Sequence, residues 1–237
     1  MNKTCNIGGL EISAYESMES AVNSVLQNGN ITQGFAIAVN AEKVVSSHEN
    51  PDVKALLKSA SILYPDGAAV SLLMSKRGCF SVRIPGCELW LELMKSASNH
   101  KTPVYIIGAK SNVHNEVVKK LTEDMGVNVV GSCDGYFKDE NILIRNVQES
   151  GAKIISVALG SPRQESFIKK CMGTHPEAFY MGVGGTYDVF TNRVKRAPEW
   201  FQRNNLEWLY RLLSQPTRIK RQVKLLKYIF LALVRKI

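Results

Sequence analysis

Several absences bound what this 237-residue chain can do. No apolar run approaches the ~20 residues that a membrane-spanning helix needs. The longest, in the C-terminal tail, is interrupted by Lys and Arg. The N-terminus has no basic, apolar, small-residue signal pattern, so no export is expected. There is no Asp-x-Asp and no HExxH, and the four histidines, His48, His100, His114 and His175, are scattered and expected at the surface. Neither a metal site nor a cofactor is expected. The five cysteines form no CxxC and read as reduced thiols of a cytosolic protein. Neither GxGxxG nor the Walker spacing occurs, so a dinucleotide or P-loop site gains no support. Internal repeats and low-complexity segments are also lacking.

What is present is a globular composition, 45% hydrophobic, with charge placed unevenly. The net charge is +9, from 30 Lys+Arg and 21 Asp+Glu. From Thr191 to Ile237 there are 12 Lys+Arg against Glu199 and Glu207, a net of +10. The rest of the chain keeps 18 basic and 19 acidic residues, a net of −1. All the excess positive charge sits in the last fifth, which points that segment toward phosphates, nucleic acid or anionic lipid.

Short apolar runs alternate with amphipathic segments, the pattern of an α/β layer fold. The expected architecture is a Rossmann-like, mostly parallel sheet flanked by helices, spanning 1–195, with a basic amphipathic helical appendage at 196–237. Strands are expected at 35–40, 62–64, 104–108, 127–130, 154–159 and 178–183, after a hairpin around Gly8-Gly9. Helices are expected at 17–28, 51–60, 68–76, 87–97, 112–125, 140–150 and 164–172. The expected strand ends carry Asn40, Asp66-Gly67, Gly108, Asp134-Gly135 with Tyr136, Gly160-Ser161 and Gly184-Gly185. In an open parallel sheet ligands bind outside such ends. Gly and Asp are also ordinary turn formers, so the repetition along one rim carries the argument rather than any single loop.

Asp66 stands at a strand end just before a helix. There it either acts as a general base on a hydroxyl or caps its own helix. The turn Gly160-Ser161-Pro162-Arg163-Gln164-Glu165 leads into a helix N-terminus, which favours phosphate. Gln164 and Glu165 either read a sugar or base there or merely start a surface helix. With no acidic pair for a metal, a diphosphate leaving group needs cations from elsewhere, and the C-terminal fifth supplies them. In the tail, Ile219, Val223, Leu226, Phe230, Leu233, Val234 and Ile237 share one helical face. Lys220, Arg221, Lys224, Lys227 and Arg235 lie largely opposite. Such a helix either lies on an anionic membrane or packs on the core.

These residues resemble the WecG/TagA/CpsF bacterial glycosyltransferases over almost the whole chain. The resemblance is carried by Val39-Asn40-Ala41-Glu42-Lys43, Pro65-Asp66-Gly67, Arg83-Ile84-Pro85-Gly86-Cys87-Glu88-Leu89-Trp90, the Gly160–Glu165 turn, GVGGTYDVFTNRVKRAP and LEWLYRLLSQPTRIKR. DGYF at 134–137 and VGGTYDVF at 183–190 are worded like the WecG branch. The resemblance implies an inverting, metal-independent transferase at the cytoplasmic face of the inner membrane. The implied donor is UDP-N-acetyl-D-mannosaminuronic acid and the implied acceptor N-acetylglucosaminyl-diphospho-undecaprenol. Carried over, Asp66 becomes the base, with Asn40 and Arg83 in the same pocket. Gln164, Gly185 and Asp188 fall at the nucleotide-sugar site, beside Glu165, Gly184 and Arg196. Arg211, Arg218 and Arg221 would meet diphosphate or lipid headgroups. Where some relatives have Thr, two residues before Asn40, this chain has Ala38. A sibling activity that transfers neutral N-acetylmannosamine shares the same fold and base. A nucleic-acid-binding module would leave the tail's apolar face and the glycine rim without a role, so nucleic acid is not expected as a partner. Homo-oligomerisation stays open.

Overall fold

Gly8 and Gly9, at φ 63° and 82°, turn the chain between β1 (Thr4–Ile7) and β2 (Leu10–Ser13), the hairpin expected there. The computed structural model describes residues 3–194, 197–198, 200–201, 209–210 and 219–237, and in the last stretch side chains from 223 onward. Helix α1 (Met18–Asn23), capped by Ser17, is shorter than the expected 17–28. Asn28-Gly29, both at positive φ, instead closes a second hairpin between β3 (Leu26–Gln27) and β4 (Asn30–Ile31). Asn-Gly is a strong two-residue hairpin signal, and here it outweighs helical periodicity.

The main sheet is parallel and six-stranded. Its strands are β5 (Gly34–Val39), β6 (Ile62–Pro65), β7 (Val104–Gly108), β8 (Val129–Cys133), β9 (Ile154–Ala158) and β10 (Phe179–Gly182), in the order β6-β5-β10-β9-β7-β8. β7 and β9 are buried along their whole length, as continuous apolar runs between helical layers should be. β8 runs further than the expected 127–130. Its Gly131 lies against Tyr105, where a Cβ would come within 2.3 Å of the ring. The glycine thus leaves room for a tyrosine ring of the neighbouring strand.

The helices are α2 (Ala41–Glu49), α3 (Pro51–Lys58), α4 (Ala68–Lys76), α5 (Gly86–Asn99), α6 (Ser111–Lys119, continued by one π turn), α7 (Glu140–Glu149), α8 (Arg163–Thr174) and α9 (Thr186–Phe190). Alternation along each strand splits the core in two. Phe35, Ile37 and Val39 face one layer with Val44 and Val45 of α2, Val147 of α7 and Phe167 of α8. Ala36 and Ile106 face the other, with Trp90 and Leu93 of α5, Val113 and Val117 of α6 and Tyr187 of α9. Ser156 of β9 satisfies the polar atoms of this second layer. Its hydroxyl accepts from Trp90 Nε1 and bonds the Tyr187 hydroxyl, each at 2.8 Å.

The last described helix, Ile219–Leu233, packs on the first layer through Tyr228 and Leu231, both buried. Lys224 Nζ donates to Ser46 Oγ at 2.6 Å, and Lys227 pairs with Glu49, so these two lysines face α2. Val223, Leu226, Phe230, Leu233 and Val234 of the expected apolar face are exposed. Ile237, expected on that face, is buried beside Gly8. The tail helix therefore packs on the core and still shows solvent an apolar side. Among the described residues no helix is long and apolar enough to cross a membrane.

Candidate active site

All six parallel strands deliver their carboxyl ends to one edge. β9 and β7 are neighbours, yet their following helices α8 and α6 pack on opposite faces. Loops that diverge in this way open a crevice at the strand ends. A cavity of about 440 Å³ sits there. It is lined by Lys110 and Ala109 after β7, Tyr136 after β8, Arg163 after β9, and Asp188 and Arg193 from α9 and beyond. Arg163 donates through Nη1 to Gly135 O at 3.3 Å and covers the Phe137 ring at 5.0 Å. Arg193 Nη2 donates to Glu116 Oε2 at 3.1 Å. Tyr136 is 68% exposed, so a face of its ring is open to stacking.

The expected rim residues divide by role. Gly160, Gly184 and Gly185 have no heavy atom within 4 Å of where a Cβ would stand, so a ligand has room to approach their backbone. Gly108 is explained by packing, since a Cβ there would lie 2.3 Å from Ala158 O. The Asp134 carboxylate is already engaged. Ser111 Oγ donates to one oxygen and the Tyr136 N–H to the other at 2.9 Å, and these bonds hold its carboxyl below the ordinary value of 3.8. Asp134 therefore orients Tyr136 and the start of α6. Beneath the crevice His114 is buried, with Nδ1 3.0 Å from Gly108 O. His175 is buried too, with Nε2 2.8 Å from Ala152 O. Both were expected at the surface. A backbone carbonyl partner makes their burial tolerable.

At the other end of the sheet, Asp66 does not cap its own helix. Gly67 occupies that position, without a side-chain bond. Asp66 Oδ1 accepts instead from the N–H of Gly86, the first residue of α5, at 3.0 Å. Ile84 N–H donates to Pro65 O at 2.8 Å, which lays the half-buried Arg83 and its neighbours along the end of β6. Asn40 caps α2 by accepting from Lys43 N–H at 3.0 Å, and Gly67 packs against it. Asn40, Asp66, Gly67 and Arg83 are thus gathered at the ends of β5 and β6.

Gln164 and Glu165 do not start a surface helix; they are 6% and 3% exposed. Gln164 Oε1 accepts from Gly184 N–H at 3.1 Å and Nε2 donates to Glu165 Oε1 at 3.3 Å. Lys43 Nζ lies 3.7 Å from Glu165 Oε1. Burial draws the Lys43 pKa below its ordinary 10.5, with Glu165 and then Asp66 pulling it back up. Lys43, Lys110 and Arg163 were not among the site residues expected from the sequence, and Arg193 was expected only as one of the cations of the C-terminal fifth. Arg163 lies inside the expected phosphate-binding turn, and Lys43 three residues past the Asn40 cap. Arg196, Arg211 and Arg218 lie outside the described residues, and Arg221 is described in its backbone only.

A family model described as the Glycosyl transferase WecG/TagA/CpsF family matches residues 5–237. The chain belongs to this family. Its members are glycosyltransferases, which suggests a nucleotide-sugar donor and a glycan acceptor as ligands. In family terms the two halves of the edge offer different chemistry. The crevice offers cations and an exposed aromatic ring, which suit a nucleoside diphosphate. The β5–β6 end offers a carboxylate, which suits a hydroxyl nucleophile. Among the described residues no group of three or more His, Cys, Asp or Glu is arranged to hold a metal ion.

Proposed function

We propose that the protein transfers N-acetyl-D-mannosaminuronic acid from its UDP derivative to N-acetylglucosaminyl-diphospho-undecaprenol, with inversion and without a metal ion. The product would be the second lipid intermediate of enterobacterial common antigen, made at the cytoplasmic face of the inner membrane. The observation that carries the reading is the crevice at the β9/β7 divergence, where Lys110, Arg163 and Arg193 surround an open-faced Tyr136. Uracil stacks on Tyr136 and the diphosphate meets the cations. Asp66 takes the proton from the acceptor 4-hydroxyl. The oxygen attacks the anomeric carbon from the face opposite UDP, the bond from that carbon to the diphosphate oxygen breaks, and UDP leaves with the electron pair. Cations fixed in the crevice stabilise that charge without reorganising.

The uronate donor is supported by the wording of DGYF and VGGTYDVF and by Arg83, a cation at the Asp66 end that could meet the extra carboxylate. The exposed apolar side of the C-terminal helix supports a peripheral place at an anionic bilayer, where a polyprenyl-linked acceptor resides. The test is turnover of the two UDP-sugars with the same lipid-linked acceptor. Preference for the uronate is expected; equal or faster transfer of neutral N-acetylmannosamine would replace this donor with that of the sibling activity.

A further inference from the structure

Lys43 and Glu165 form a pair to which the chemistry above gives no task; the Glu165 side chain is buried and that of Lys43 is 24% exposed. Lys43 comes from the first turn of α2, after β5, and Glu165 from the first turn of α8, after β9. β10 separates the two strands. At 3.7 Å the pair is within ion-pair range but too long for a hydrogen bond. Glu165 Oε2 is buried and has no hydrogen-bond partner among the described residues. Its other oxygen shares the lysine with a 3.3 Å contact from Gln164 Nε2. Such a half-satisfied pair is weak grounds for a stabilising role.

A third charge explains the arrangement better. Asp66 acts on Lys43 in the same sense as Glu165 does, favouring the ammonium against burial. The backbone brings the two residues together as well: Asp66 N–H donates to Val39 O at 3.0 Å, and the next residue, Asn40, accepts from Lys43 N–H at 3.0 Å. Glu42, on the same helix as Lys43, adds a weaker pull. On the Asp66 side, Tyr64 of β6 feels Asp66 and, less, Cys87 of α5, and Arg83 lies in the segment before α5. Burial and the negative neighbours hold the Tyr64 hydroxyl well above its ordinary value of 10.0, so it stays neutral near pH 7.

We propose that Lys43 is a positioning residue for Asp66, its ammonium keeping that carboxylate ionised, and that Glu165 sets the strength of this hold by competing for the same ammonium. The proposal rests on the reading of Asp66 as general base. It also gives Gln164 a part, since Gln164 ties Glu165 to Gly184 beside the crevice.

The test is the pH dependence of kcat/KM on a short-chain, water-soluble acceptor, whose acid limb reports the base of the free enzyme. Replacing Lys43 with Met should raise that limb by about one pH unit, the low end for loss of a close opposite charge. Glu165→Gln keeps the volume and removes the competitor, so the limb should move the other way, to lower pH. Lys43→Arg should restore the limb toward its original position. A merely structural role would lower stability or turnover without opposed shifts. If both variants fold and the limb stays still, or both move it the same way, the proposal is overturned. If Lys43→Met does not fold, Glu165→Gln decides alone: a downward shift supports the proposal, and no shift or an upward one overturns it. Asp66→Asn separates the two readings. An acid limb that persists in Asp66→Asn removes Asp66 as base, and the proposal falls with it. A limb lost in Asp66→Asn but unmoved in the other variants removes the proposal alone.

Discussion

Asp66 Oδ1 accepts the Gly86 N–H at 3.0 Å, so a carboxylate at the end of one strand closes the N-terminus of a helix that starts twenty residues later. This makes the helix contact of Asp66 separable from its proposed role as base. Asparagine keeps an acceptor oxygen for Gly86 but cannot take a proton from a hydroxyl. Asp66→Asn should therefore unfold in urea much like the wild type while losing ~10²–10⁴-fold in turnover, the usual cost of a missing general base. Asp66→Leu strands the Gly86 N–H and should also lose about 1–3 kcal/mol of stability. Near-normal turnover by a well-folded Asp66→Asn protein would move the base elsewhere.

The crevice predicts how UDP is held. Arg163→Ala removes a cation that lines it, and a charge-assisted bond contributes about 1.5–3 kcal/mol, so UDP affinity should fall roughly 10- to 100-fold by titration calorimetry. Tyr136→Ala should weaken UDP but leave inorganic pyrophosphate binding unchanged, because the ring meets only the base. Equal losses for both ligands would deny Tyr136 the stacking role.

His114 gives a pH dependence of stability with a definite sign. Desolvation lowers its pKa below the ordinary 6.5, against the opposing pull of the Gly108 carbonyl and Asp134. The unfolded chain therefore holds this proton to higher pH than the folded one. The His114 contribution is complete above pH 6.5, falls as pH drops below that value, and levels off once the folded-state pKa is passed. Asp134 acts in a separate window, near and below 3.8. Urea unfolding of His114→Gln should show a flatter slope between pH 7 and 5 than the wild type. An unchanged slope would mean that another group carries it.

The strand ends were legible because glycine and Asx residues close each apolar run. Asn40, Asp66, Gly160 and Gly184 follow strands close to where the periodicity put them. The order of strands was not legible, because it depends on which apolar faces pair across the sheet. That order decides that Gly108 serves Ala158 and that Lys43 meets Glu165. Arg163 was visible inside the expected phosphate-binding turn, but only the third dimension puts the crevice beside it. Asp66 shows the same limit: local spacing suggested a cap for its own helix, whereas its partner is the N-terminus of α5. The tail's period identified the correct apolar face, yet gave no sign that Tyr228 and Leu231 would anchor the opposite side.

That anchoring shapes the last prediction. Leu226, Phe230 and Leu233 are 69%, 61% and 77% exposed, while Tyr228 and Leu231 hold the helix to the core. Replacing Phe230 and Leu233 with Ser removes apolar surface without opening a cavity, and stability should stay within about 0.5 kcal/mol. Binding to vesicles rich in anionic lipid should weaken, because apolar area buried in the interface drives such association. Turnover of the water-soluble acceptor should be spared. Lys224 and Lys227 are turned toward Ser46 and Glu49, so the double replacement by Gln should change vesicle binding far less than the two serines do. The opposite ranking would mean that the helix meets lipid by its charge, and full vesicle binding by the Phe230→Ser, Leu233→Ser protein would assign its apolar side to a different partner.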